Sequence, residues 1–98
     1  MLVHSVYFWL SEDATAKDKD MFEKKLKALE NISSAEAVYI GTPAGTDRPV
    51  IDRSYDYALT VIFQDMQAHD CYQTDPLHKD FLTNCSKLFG KVVIYDAD

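Results

Sequence analysis

What limits this chain most is the order in which two hydrophobic periods follow one another along its 98 residues. Leu2 to Leu10 alternates, with His4, Val6, Phe8 and Leu10 on one side and Val3, Ser5, Tyr7 and Trp9 on the other, which is the period of a strand. Phe22, Leu26, Leu29 and Ile32 then recur at helical spacing among lysines and glutamates. Thr15 and Asp18 stand ahead of them at capping-box distance, so a first helix is predicted over residues 15 to 31. Ala35 to Gly41 has the branched and aromatic content of a second strand, ended by Gly41 and Pro43. Tyr55 to Phe63 alternates again as a third, with Tyr57, Leu59, Val61 and Phe63 on one face and Ala58, Thr60 and Ile62 on the other.

Asp65 can cap a short helix that turns Ala68, Cys71 and Tyr72 inward, and Asp75-Pro76 restarts the helix with an N-cap and a proline at its first position. His78, Phe81, Leu82, Cys85, Leu88 and Phe89 form its stripe, Gly90 ends it, and Val92 to Tyr95 is the last strand. Strand, helix, strand, strand, helix, strand is the order of an α+β, ferredoxin-like βαββαβ fold. Right-handed crossovers put both helices on one face of a four-stranded antiparallel sheet. The length suits one domain, residues 1–98, since domains commonly share a core among about 100 to 150 residues.

The bare face then presents Val3, Tyr7, Trp9, Ile62, Val93 and Tyr95, where a wet antiparallel sheet should be polar. No third layer remains in the chain to cover it. The economical cover is a second copy on a two-fold axis, with Tyr7, Trp9, Ile62 and Tyr95 at the interface of a dimeric α+β barrel.

Charge narrows the partners. A net charge of -6 repels a phosphate backbone, and Lys24, Lys25 and Lys27 are too few for a binding stripe, so no nucleic-acid partner is expected. The apolar run at the N-terminus contains His4 and Ser5, lacks a basic leader and is too short to span a bilayer; a cytoplasmic protein with no signal peptide and no membrane partner is expected. Cys71 and Cys85 have no metal-ligand spacing and are expected to be small buried hydrophobes. No phosphate loop, nucleophile turn or metal-ligand set is legible, and no cofactor is expected. Glu12, Asp13 and Asp96 to Asp98 read as solvated charge, and His69, in phase with neither apolar stripe, as a surface residue.

Three polar side chains fall in phase with the helix-covered face: His4, Tyr72 and His78. Burying them is costly unless they are partnered or used. Two imidazoles beside a phenol could relay a proton or deprotonate an acidic carbon in a poorly hydrated cavity, because imidazole titrates near neutrality. Equally, His4 and His78 could satisfy each other or a backbone carbonyl and only tie a helix to the sheet. Around them, Val6, Phe8, Phe22, Leu59, Phe81, Leu82 and Phe89 are the expected walls of a pocket for a small apolar or phenolic ligand. The loop Thr42 to Ser54 is expected near the sheet edge, closing the mouth of this cleft or extending the dimer contact, with Val50 and Ile51 as its only buried points.

The opening Val3-His4-Ser5-Val6-Tyr7-Phe8, the segment Tyr55 to Phe63, the run Tyr72-Gln73-Thr74-Asp75-Pro76-Leu77-His78 and the ending Val92-Val93-Ile94-Tyr95-Asp96 resemble the stress-responsive dimeric A/B barrel (Dabb) domain. The most specific part is His4 with Tyr72, Pro76 and His78. The resemblance implies a ferredoxin-like protomer and a homodimer. Many members have no known activity, some resemble stress-induced proteins, and one plant branch resembles polyketide cyclases that perform an aldol condensation without a metal or organic cofactor. Carried over to this chain, the resemblance makes His78 the general base, gives His4 an orienting role, and lets Tyr72 stabilise an enolate or bind a phenol. A small dimeric protein with a ligand cleft, a cofactor-independent cyclase or, by fold analogy, a monooxygenase, and a purely structural protein all remain open.

Overall fold

The structure is a computed structural model that describes residues 1–98. Its elements run β1 (Leu2–Leu10), α1 (Ala16–Ala28), β2 (Ala37–Gly41), β3 (Tyr57–Phe63), α2 (Met66–Thr74), α3 (Pro76–Cys85) and β4 (Phe89–Ala97), with 3-10 turns at Leu29–Asn31 and Ser86–Leu88. The four strands form one antiparallel sheet in the order β2-β3-β1-β4, with β1 at the centre between β3 and β4. Each β-helix-β unit therefore skips over one strand, and this is the ferredoxin-like α+β fold.

Local chemistry explains the starts of the helices. The Thr15 hydroxyl accepts from the Asp18 amide and the Asp18 carboxylate from the Thr15 amide, a complete capping box that also holds the Asp18 carboxyl below its usual range. Asp65 caps α2 through the Ala68 amide, and Asp75 caps α3 through the Leu77 amide with Pro76 behind it. The first helix ends at Ala28 rather than at residue 31, because the chain tightens into a 3-10 turn that still buries Leu29.

The core lies between the helices and one sheet face. Leu2, Val6 and Phe8 of β1 and Leu59, Val61 and Phe63 of β3 meet Phe22, Leu26, Leu29, Tyr72, Phe81 and Cys85. Phe22, Leu26 and Leu29 are wholly shielded, and each such side chain contributes about 1.5–3 kcal/mol on burial.

Several sequence expectations shift here. The third strand begins at Tyr57, not Tyr55, since the Asp56 carboxylate takes the Leu10 amide in place of a ladder carbonyl. That frees Tyr55 to stack edge-on against Tyr7, 5.1 Å between ring centres. Gly90 does not end a helix but lies in β4, where a Cβ would stand 3.1 Å from the Leu10 carbonyl oxygen at the register shift between Trp9 and Leu10. Cys71 is exposed rather than buried, because α2 turns Tyr72 inward instead. Cys85 is buried, and burial pushes its thiol up to about 11, so it stays protonated and inert.

On the opposite face Tyr7, Trp9, Ile62, Val93 and Tyr95 project without a covering layer, and Tyr95 is 66% exposed. The loop ahead of β3 sits on this face: Trp9 donates its indole N–H to the Ser54 hydroxyl at 3.0 Å, and Tyr55 packs against Trp9. Val50 is 80% exposed, contrary to its expected role as an anchor, and only Ile51 is partly covered. No helix is long and apolar enough to cross a membrane.

Candidate functional site

Alternation along β1 sends His4, Val6 and Phe8 under the helices, and their cross-strand partners on β4 are Asp96, Ile94 and Val92. The neighbours Leu59 on β3 and Tyr72, Gln73, His78, Phe81 and Leu82 on α2 and α3, with Leu29 and Phe89, complete the walls of a cavity of about 360 Å³. Of the residues expected to line it, Val6, Phe8, Leu59, Phe81, Leu82 and Phe89 do so, with Leu82 41% exposed at its rim. Phe22 does not. It is fully buried behind the wall, stacked against Phe8 and Phe81, and belongs to the core. A second hollow of about 410 Å³ lies on the open face among Tyr7, Trp9, Asp52, Tyr55, Lys91, Val93 and Tyr95, away from both buried histidines.

His4, Tyr72 and His78 do meet at the cavity. The Tyr72 ring stands 4.9 Å from that of His78 and 6.3 Å from that of His4. His4 and His78 do not bond each other. His4 Nδ1 lies 2.5 Å from Asp96 Oδ1 instead, and because a carboxylate only accepts, Nδ1 carries the proton and the Nε2 lone pair is left available. The buried Tyr72 hydroxyl and His78 Nδ1 have no hydrogen-bond partner in the protein; the Gln73 carbonyl lies near His78 but forms no well-aligned bond.

Burial sets the protonation of both. It raises the Tyr72 phenol well above its ordinary value, so the hydroxyl remains a donor. Burial, then the neighbouring His4, lowers His78 below the usual imidazole range, so His78 is neutral at pH 7.

Two groups placed on the surface by the sequence reading belong here. Asp96 is not free solvated charge: alternation through Val92 and Ile94 continues to it and puts it beside His4. His69, three residues before Tyr72 and so on the same side of α2, has its ring 5.4 Å from that of His4 and 5.4 Å from that of Phe63.

The stress-responsive A/B barrel domain (Dabb) matches residues 2–98. This chain belongs to that family. Among solved structures this Dabb chain is similar to a dimeric ferredoxin-like protein of unknown function from Thermobifida fusca, with a TM-score of 0.79 at 18% identity over 98% of this chain and 88% of that one. It is similar also to a Dabb family protein with a ferredoxin-like fold from Mesorhizobium loti, with a TM-score of 0.78 at 21% identity over 99% and 94%. A hydroxynitrile lyase from Passiflora edulis superimposes with a TM-score of 0.78 at 18% identity over 98% and 90%. No curated protein matches the sequence.

Proposed function

We propose that this Dabb domain binds a small, mainly apolar carbonyl or phenolic compound between helices and sheet and moves a proton on it without a cofactor. The observation that carries this is the pair of unpartnered polar groups, the Tyr72 hydroxyl and His78 Nδ1, on an otherwise largely apolar cavity wall. A group stranded in that way costs about 1–3 kcal/mol, which a purely structural pair would be expected to avoid by bonding internally. A ligand oxygen satisfies both at once.

The roles follow from the hydrogen bonds. His4, oriented by Asp96 at Nδ1, is the general base through Nε2, a carboxylate–imidazole arrangement that fixes tautomer and ring direction. Tyr72 and neutral His78 donate to the substrate oxygen as negative charge gathers on it, so the acidic α-carbon of a ketone loses its proton to His4 and the enolate is held in place. This exchanges the base and the orienting residue relative to the family resemblance, because Asp96 pairs with His4 and not with His78. The hydroxynitrile lyase relative supports the idea that this fold can host an enzyme, and fold likeness alone carries it no further.

The functional unit in this proposal is a homodimer. The uncovered aromatic face supports it, and structural relatives from Thermobifida fusca, Bacteroides fragilis and a Jannaschia species are described as dimeric. Two sheets facing each other would bury Tyr7, Trp9, Ile62 and Tyr95 and leave both helix-side cavities open.

The test is proton exchange in heavy water at the α-carbon of an aryl alkyl ketone, followed by NMR. Exchange above the buffer rate, lost in His4→Gln, is the expected result. A folded protein that neither binds such ketones or phenols nor speeds exchange between about pH 6 and 8 would remove the proposal.

A further inference from the structure

His4, Asp96 and His69 form a second constellation at the edge of the cavity, and His69 has no part in the chemistry above. Their ligating atoms, two imidazole nitrogens and one carboxylate oxygen, all lie within 4.8 Å of one another. They come from three different elements, β1, β4 and α2, so the tertiary fold alone assembles them.

We propose that His4, His69 and Asp96 bind one divalent transition-metal ion of the zinc, cobalt or iron(II) type. Three protein ligands of the nitrogen, nitrogen, oxygen kind suit these ions, whereas magnesium and calcium need more oxygens than this corner supplies. Metal–ligand bonds of about 2.0–2.2 Å put neighbouring ligand atoms roughly 3–3.5 Å apart in a tetrahedral shell. The His4–Asp96 pair at 2.5 Å must open slightly and His69 must swing inward. His69 can do so, since its contacts are side-chain ones at the rim.

Those contacts also prepare it as a ligand. Asp70 Oδ1 lies 3.2 Å from His69 Nδ1 and takes that proton, which leaves the lone pair on Nε2, where the Gln73 amide nitrogen stands at 3.4 Å as a donor. A carboxylate on the far nitrogen of a ligating histidine is the common outer support of metal-bound imidazole. Phe63, with its ring 5.4 Å from His69 and 6.3 Å from His4, lines one side of the site with apolar surface. Coordination through Nδ1 shifts the ring proton of neutral His4 to Nε2 and so removes the lone pair there, which makes the site and the carboxylate-oriented base alternative states of one residue, and an occupied site suppresses proton transfer by His4.

The test is a titration of untagged, metal-free protein with Co²⁺, read by visible absorption, and with Zn²⁺, read by calorimetry. One ion per protomer is expected, with at least about a ten-fold loss of affinity in His69→Ala and in Asp96→Asn and none in Tyr72→Phe. His69 is partly exposed and carries little of the core, so His69→Ala should fold even if a His4 variant does not. Absence of stoichiometric binding near pH 7, or binding undiminished in His69→Ala, overturns the proposal. Ketone exchange in metal-free His69→Ala is a separate readout: it should persist if His4 is the base, whatever the titration shows.

Discussion

Asp96, near the end of the last strand, accepts a hydrogen bond from His4, near the start of the first, and so holds a buried imidazole across 92 residues of chain. The pair sits directly cross-strand in the β1–β4 register, with His4 buried and Asp96 44% exposed, so the carboxylate keeps contact with water while it directs the ring. Asp96→Asn should preserve the shape and remove the charge. We expect about a 10- to 100-fold fall in proton exchange with a stability loss of only about 1 kcal/mol, because the carboxylate is half solvated. Parallel melts and exchange rates check it; a large loss of stability with unchanged exchange would mean that Asp96 is structural.

Tyr72→Phe removes a hydroxyl that is buried and unpartnered. Stability should stay level or rise by up to about 1 kcal/mol, since no bond is lost and a polar group leaves an apolar setting. Exchange or phenol binding should fall, by on the order of 100-fold if the hydroxyl stabilises the enolate. Denaturant midpoints and ligand titrations separate the two effects, and a marked destabilisation would show that the hydroxyl has a protein partner after all.

His78 predicts a pH dependence with a definite sign. Burial, then His4, lowers its folded-state pKa from the ordinary 6.5. As pH falls, the unfolded chain therefore takes up the proton before the folded one does. The contribution of neutral His78 is present above about pH 6.5 and is lost as pH drops toward the folded-state value. Denaturant unfolding at pH 7.5 and near pH 5.5 should show the wild type weakening on acidification, and His78→Gln should weaken less. Equal slopes for both proteins would contradict this.

Trp9→Glu tests the open face. A carboxylate there meets Tyr55 within the protomer and the partner sheet in a dimer, and an unpaired charge in an interface costs several kcal/mol. Sedimentation should give a wild-type dimer at micromolar concentration and a folded, monomeric variant. A wild-type monomer would leave the aromatic face without its proposed cover.

The strands, the helices and the choice of covered face were legible in the residues because each rests on a local period. His4 to Leu10 and Tyr57 to Phe63 alternate cleanly, and Thr15, Asp65 and Asp75 mark their helices by short-range hydrogen bonds. The meeting of His4, Tyr72 and His78 could be anticipated from phase together with the family's topology. Asp96 was misread because two aspartates among the last three residues look like solvated charge, although alternation through Val92 and Ile94 already put Asp96 on the face of His4. His69 was misread because a helix of only 9 residues gives too few apolar residues to define a stripe. Phe22 went to the wrong place because a period tells which way a side chain points but not what stands between it and a cavity. Only the folded molecule decides that His4 pairs with Asp96 rather than His78, and that the Tyr72 hydroxyl and His78 Nδ1 are left without partners. Hydrogen bonding between strands and helices far apart in sequence depends on distances of a few tenths of an ångström, and those are set by packing, not by pattern.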